Sequence, residues 1–195
     1  MTDPRTSGSS NETAKGRKET SLIRWLLETA LLVLLAFALA FGIRTYLVEP
    51  FIVPTGSMIP TIEIGNRVLA EKITYHFIRP PHYGDIVVFP DPKGEHPHLI
   101  KRVIATAGQT VDLREGKVYV NEQQLIEPYT HNLPSNPLAP EFRYPFTVPA
   151  GDLWVMGDNR TNSADSRAFG PIPVSAVQGH AVWTYWPLSA FGRLF

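Results

Sequence analysis

Three short stretches carry side chains able to do chemistry. The first, Pro-Thr-Gly-Ser-Met-Ile-Pro-Thr at 54–61, holds Ser57 between Gly56 and two bracketing prolines. Proline presets its own φ and restricts the residue before it, so the serine rides on a stiff, extended backbone. Gly56 leaves room beside it for a substrate chain. A plain Pro/Gly turn explains the same residues. The stretch is not a Gly-x-Ser-x-Gly elbow, because Thr55 and Ile59 stand at the glycine positions. Nor is it a Ser-x-x-Lys pair, because Pro60 stands where the lysine would. The second stretch, Leu99 to Ile104, sets Lys101 and Arg102 in an apolar run. In a strand, Lys101 shares a face with Leu99 and Val103, and Arg102 with Ile100 and Ile104, so one cation is expected against the core. A lysine stem that snorkels to the surface is one reading. A desolvated amine is the other, since burial can lower a lysine pKa by up to ~3–5 units from ~10.4, into general-base range.

The third stretch runs from Gly157 to Gly170, where Asp158, Asn159, Arg160, Asn162, Asp165 and Arg167 crowd together. It fails as a calcium loop, with Arg160 at the third ligand position, Ser163 in place of the required glycine and Phe169 in place of the closing glutamate. Polar turn chemistry accounts for much of it; a fixed hydrogen-bonded network supporting a site is the alternative reading. His96-Pro97-His98 lies in what reads as an exposed loop, and the other histidines show no ligand spacing. Cysteine is absent, which excludes disulfides, thiolate metal sites and a cysteine nucleophile. No metal and no cofactor is expected.

The elements that must position these residues begin with a solvated tail over 1–21, followed by an abrupt change at Leu22. From Trp25 to Ile43 the chain is apolar on every face, and about 19 residues at 1.5 Å each span roughly 28 Å, close to a hydrocarbon core of ~30 Å. A retained transmembrane anchor over 22–44 is the preferred reading. A cleavable signal peptide ending near Ala38 and Ala40 and a buried core helix are the alternatives. Arg5, Lys15, Arg17, Lys18 and Arg24 precede the span and only Arg44 closely follows, which places the N-terminus in the cytoplasm and the rest across the plasma membrane. Leu47 to Pro60 reads as extended and suited to the headgroups, with Phe51, Ile52, Val53, Met58 and Ile59 facing lipid or lining the cleft.

Beyond it, strand-like runs recur at Arg67–Glu71, Asp85–Phe89, Leu99–Ala105, Thr110–Leu113, Lys117–Val120, Asp152–Met156 and Ala181–Trp186, separated by turn signals. Asn121 to Ala150 is proline-rich and reads as a loop-rich insertion or small cap. The 18 prolines favour strands and turns over a helix bundle. The balance of 18 basic against 18 acidic residues speaks against nucleic-acid binding through a large basic surface. The expected fold is mainly β: one N-terminal transmembrane helix, then a β-rich domain over 45–195 with a cap inserted at roughly 106–150.

In this order, the anchor, Pro-Thr-Gly-Ser-Met-Ile-Pro-Thr at 54–61, Gly-Asp-Ile-Val-Val-Phe at 84–89, Lys-Arg-Val-Ile at 101–104 and Gly-Asp-Asn-Arg…Asn-Ser…Asp-Ser-Arg at 157–167 resemble bacterial type I signal peptidases. The resemblance implies a Ser57 nucleophile and a Lys101 general base. It implies an oxyanion hole made of the Ser57 N–H and Thr55, which stands where the family often has serine. Ser163 matches the residue that hydrogen-bonds the lysine, and Asp158, Asp165 and Arg167 match supports of the site. One departure follows the lysine strand, where Ala105-Thr106-Ala107-Gly108-Gln109 replaces a segment commonly ending Pro-Gly-Asp or Glu. The implied substrates are signal-peptide-bearing preproteins, cut after small residues at the first and third positions before the bond, at a lipid bilayer. Two other functions fit parts of the sequence: a self-cleaving Ser/Lys regulator, disfavoured by the anchor, and a non-catalytic membrane-tethered β module that binds exported chains.

Overall fold

An apolar surface continuous around a helix finds no soluble core to cover it, and the first element has such a surface. The computed structural model describes residues 10–194, and their side chains except in 10–22, 43–46 and His76. Helix α1 runs Ser10–Tyr46. Within it Ile23–Gly42 is long and apolar enough to cross a membrane, and its side chains, Leu34 and Phe37 among them, are exposed. Glu28 is paired with Arg24 one turn earlier at 2.9 Å. The helix starts at Ser10 rather than near Leu22, so part of the expected tail is helical. Glu12, Ala14, Lys15, Arg17 and Lys18 are good helix formers, and lengthening an existing helix incurs no nucleation cost. Residues 1–9 of that tail lie outside the described residues.

Residues 46–195 form a separate compact unit. Its strands are β1 (Val48–Ile52), β2 (Arg67–Glu71), β3 (Ile86–Phe89), β4 (Leu99–Thr106), β5 (Thr110–Arg114), β6 (Lys117–Val120), β7 (Gln123–Gln124), β8 (Phe146–Thr147), β9 (Asp152–Met156), β10 (Ile172–Pro173), β11 (Gly179–Trp186) and β12 (Gly192–Arg193). The larger sheet is antiparallel in the order β1-β2-β11-β3-β4-β9-β10, with β12 paired to β11. A smaller antiparallel sheet follows the order β7-β6-β5-β8. The architecture is mainly β, as the spacing of turns and short apolar runs leads one to expect. Each of the seven expected runs contains a strand. The short pairs β7, β8, β10 and β12 have too few residues to show a period.

Strand β1 changes the reading of 47–60. It is the edge of the large sheet, where Pro50 is tolerated because a missing N–H disturbs no central ladder. The period of two turns Phe51 and Val53 inward, and with Met58 they pack against Ile62, Val68, Ala70 and Ile86. These three are core residues, which corrects their expected exposure to lipid or cleft. Ile52 points the other way and is 65% exposed. The stretch 121–150, expected as loop, supplies β7 and β8 to the smaller sheet. There Val111, Val118, Val120 and Val148 pack on Ile104, Ala105 and Trp154 of the larger one, with Phe142 and Tyr144 edge-on to the indole. A short helix, α2 (Ser166–Phe169), interrupts the return from β9.

Strand β4 lies between β3 and β9 and is buried on both faces from Leu99 to Ala105. Leu99 and Val103 enter a cluster with Val87, Phe89, Leu153 and Val155, whereas Ile100 enters the cluster that holds Met58. Both cations of this strand are therefore carried into the interior, on opposite faces.

Candidate active site

Ser57 sits in a single 3-10 turn, Gly56–Met58, closed by the Ile59 N–H on the Gly56 carbonyl at 3.2 Å. The turn abuts β4, and Lys101 Nζ lies 2.6 Å from Ser57 Oγ, with both residues buried. Among the described residues Ser57 is the one hydrogen-bond partner of that amine. Burial pushes the Lys101 pKa from 10.5 down to about 8; the charges of Asp165, Asp91 and Asp158 oppose the shift without cancelling it. Thr55 Oγ1 donates to Ser57 Oγ at 3.3 Å. Serine, lysine and threonine open on a cavity of about 160 Å³ whose apolar walls include Leu99, Ala164 and Phe169.

Asp158 is fully buried and accepts from Arg102 Nε at 2.8 Å and Nη2 at 2.7 Å, and from Thr61 Oγ1 at 2.5 Å. This fork ties the loop after β9 to β4 and to the chain just beyond Ser57. Arg102 also donates to the Gly84 carbonyl at 2.9 Å and stacks 4.0 Å over the Tyr129 ring. Asp165 accepts from Arg167 Nε and Nη2, both at 2.8 Å, and from the Gly157 N–H at 3.0 Å. Arg167 then donates to the Arg160 carbonyl at 2.8 Å. Gly157 has no side chain for a close-approach reason: a Cβ there would overlap the Ser57 carbonyl and Ser163 Oγ. Ser163 is buried beside it, but its hydroxyl has no hydrogen-bond partner, so the bond to Lys101 implied by the resemblance is absent among the described residues.

Ser57, Lys101 and Thr55 thus converge, and Asp158, Asp165 and Arg167 surround them as a buried ionic frame. Asn159 and Arg160, part of the crowded polar stretch but given no individual role there, belong to the same frame, and Glu127 and Ser135 join it from outside that stretch. Asn159 donates from its main chain to the Ser57 carbonyl and from Nδ2 to the Gly56 carbonyl, each at 3.0 Å. Arg160 is clamped by Glu127 at 2.8 and 2.5 Å and by Ser135 at 2.6 Å. Adjacency to Asp158 marks Asn159 and Arg160. Nothing local marks Glu127, which reaches Arg160 from the segment following β7. Chemically, the arrangement offers a hydroxyl nucleophile on an amine whose proton is loosely held, with a second hydroxyl beside it.

The signal peptidase family, peptidase S26, matches residues 26–186 of the chain. The chain is 38% identical over 185 residues to a probable signal peptidase I-1 of Synechocystis, covering 88% of each protein. It is 42% identical over 167 residues to a signal peptidase I of Leptolyngbya laminosa, covering 82% of this chain and 79% of that protein. A crystal structure of a signal peptidase I from Enterococcus faecalis aligns with 52% of this chain and 97% of that one, at 32% identity and a TM-score of 0.43. The matched span takes in Ser57, Lys101 and the whole loop from Gly157 to Gly170, and the chain belongs to the signal peptidase family, peptidase S26.

Proposed function

We propose that the chain is a membrane-anchored serine endopeptidase that removes N-terminal signal peptides from preproteins, with Ser57 as nucleophile and Lys101 as general base. The observation that carries this reading is the 2.6 Å contact between Lys101 Nζ and Ser57 Oγ, made by an amine that burial brings down to about 8. At pH 7 about one such amine in ten is neutral, against fewer than about one in a thousand for an ordinary lysine. The neutral amine accepts the Ser57 proton, and Oγ attacks the scissile carbonyl. The resulting oxyanion is held by the Ser57 N–H and the Thr55 hydroxyl. Collapse breaks the C–N bond as protonated Lys101 returns the proton to the leaving amine, leaving an ester on Ser57. Lys101 then takes a proton from water, the hydroxide attacks the ester, and Ser57 recovers its proton as the cleaved signal peptide departs.

The small cavity of about 160 Å³, with Leu99, Ala164 and Phe169 beside the charged Asp91, Lys93 and Glu95 in its walls, supports a preference for small side chains before the bond. In this reading 22–44 anchors the enzyme in the plasma membrane with 1–21 in the cytoplasm, and 45–195 is the extracytoplasmic peptidase, with 106–150 as its cap. Asp158, Asp165 and Arg167 brace the site, and Ser163, whose buried hydroxyl has no hydrogen-bond partner, is assigned to hydrogen-bond Lys101 during the reaction. The test is cleavage of a preprotein carrying an Ala-x-Ala site by the full chain in detergent, beside Ser57→Ala and Lys101→Ala. Processing by the wild type and loss in both folded variants is the expected result. Undiminished processing by Ser57→Ala would assign the nucleophile elsewhere.

A further inference from the structure

Ser57 brings two groups to the reaction, its Oγ and its main-chain N–H, and the second is only as good as the orientation of the Gly56–Ser57 peptide. In a planar trans peptide the carbonyl and the N–H point in opposite directions, so whatever holds the Gly56 oxygen also aims the Ser57 N–H. Two donors hold it: the Ile59 N–H at 3.2 Å, which closes the turn, and Asn159 Nδ2 at 3.0 Å. The main-chain N–H of Asn159 also donates to the Ser57 carbonyl at 3.0 Å. One residue therefore grips the peptides on both sides of the nucleophile's Cα. The assignment of the side-chain amide is chemically forced, because a carbonyl only accepts and must be met by Nδ2.

Asn159 is itself carried on a rigid support. Asp158 before it is locked by Arg102 and Thr61, and Arg160 after it by Glu127, Ser135 and the Gly157 carbonyl. The peptide it grips has a reason to need holding. Glycine at 56 leaves the backbone before Ser57 with more rotational freedom than any other residue would. A rotated peptide would withdraw the N–H and turn a carbonyl oxygen toward the developing oxyanion, replacing attraction by repulsion.

We propose that Asn159 is a positioning residue that fixes the Gly56–Ser57 peptide with its N–H turned to the oxyanion, acting on the transition state without contacting substrate. The inference rests on the peptidase reading above. It predicts a loss confined to the chemical step, whereas a residue that shapes the cleft would change substrate affinity and one that only stabilises the fold would change neither selectively.

The experiment uses the full chain in detergent with the Ala-x-Ala preprotein, comparing wild type, Asn159→Ala and Asn159→Asp. Aspartate keeps the size of asparagine and removes the donor. Asn159→Ala is expected to lower kcat about 10- to 100-fold, below the ~10²–10³ that follows outright loss of an oxyanion donor, with KM within about threefold of wild type. The inhibition constant of a peptide aldehyde, whose tetrahedral adduct on Ser57 places an oxygen in the same position, should rise by the factor by which kcat/KM falls. In a Ser57→Ala background, Asn159→Ala should leave the dissociation constant of the uncleaved substrate unchanged. Asn159→Asp should be at least as slow as the alanine variant, and it carries the same reading if the alanine variant does not fold. An inert wild type would overturn the peptidase reading itself. An active wild type with Asn159→Ala equally fast would overturn the inference alone. So would a rise in KM and substrate dissociation constant matching the lost activity, or a collapse of the melting temperature of both variants.

Discussion

Lys101 and Arg102 are neighbours on β4, each 1% exposed, and they have opposite fates. Arg102 meets a carboxylate through two parallel N–H bonds, a main-chain carbonyl and an aromatic face. Lys101 meets one hydroxyl. Three acids act on it through space, yet desolvation outweighs them and its pKa falls to about 8. The strand period that puts the two side chains on opposite faces separates two uses of the same burial. A counter-ion in contact makes a fixed charge out of a cation that does not lose its proton; withholding one from a lysine makes a base. A buried carboxylate in contact with Lys101 would hold the amine charged and bar it from the proposed role of base.

The largest effect that would break this comparison comes from replacing the lysine. Lys101→Met keeps the length of the side chain and removes the amine, so activity should fall by about 10³–10⁴-fold. The same variant should be more stable than wild type at pH 7. Lowering a lysine from 10.5 to about 8 costs the folded state about 3 kcal/mol at ~1.36 kcal/mol per unit, and the methionine does not bear that cost. The sign with pH is fixed by the depressed value. Between about 8 and 10.5 the unfolded chain holds the proton that the folded chain has released, so wild-type stability rises with pH and the gap to Lys101→Met closes. Urea unfolding in detergent at pH 7 and pH 10 measures both. A methionine variant less stable than wild type at pH 7, or a gap that does not narrow, would show that Lys101 carries no burial strain.

On the other face the sign reverses. Arg102→Met leaves Asp158 fully buried with Thr61 alone, and breaking a buried pair from one side should cost about 3–5 kcal/mol in the same urea measurement. Arg102→Met combined with Asp158→Leu should recover most of that loss, because an apolar pair has no charge to leave unpaired. A single variant within about 1 kcal/mol of wild type would mean that the fork adds nothing to the frame.

What the sequence made legible follows from the range over which each feature is written. The strands with four or more residues in the core show as apolar runs, and alternation in β4 put both cations in view. Alternation alone could not say that the smaller sheet would cover the second face, so only one of the two was expected inside. Phe51, Val53 and Met58 were expected to face lipid or line the cleft because a proline-rich segment after an anchor looks like an extended arm. The pairing of β1 with β2 that buries them is set by residues around Val68. In the site, Ser57 and Lys101 were legible as residue types and became a pair only through the resemblance, since their 2.6 Å contact spans 44 positions. Glu127 on Arg160 was illegible for the same reason. Asn159 was in plain sight within Gly-Asp-Asn-Arg, but its task is done through the backbone of Ser57, and backbone partners leave little trace in a side-chain pattern.

The smallest effects sharpen the lysine side of the comparison, where hydroxyls stand in for the charges found around Arg102. Thr55 Oγ1 is close enough to Ser57 Oγ to reach an oxyanion formed on the carbonyl that Ser57 attacks in the proposed mechanism. Thr55→Val is nearly isosteric and removes the donor, so kcat should drop by about 10²-fold with KM little changed. Thr55→Ser restores the hydroxyl on a less restricted rotor and should stay within about threefold of wild type. A neutral hydroxyl does not alter the electrostatic balance on the amine. The acid limb of kcat/KM against pH should therefore keep its midpoint near 8 in both variants while the plateau falls only in valine. If valine instead moved the midpoint and spared the plateau, Thr55 would be acting on the proton affinity of Lys101 through Ser57. The division between a cation held by a counter-ion in contact and one met only by a hydroxyl would then have to be redrawn one residue nearer the nucleophile.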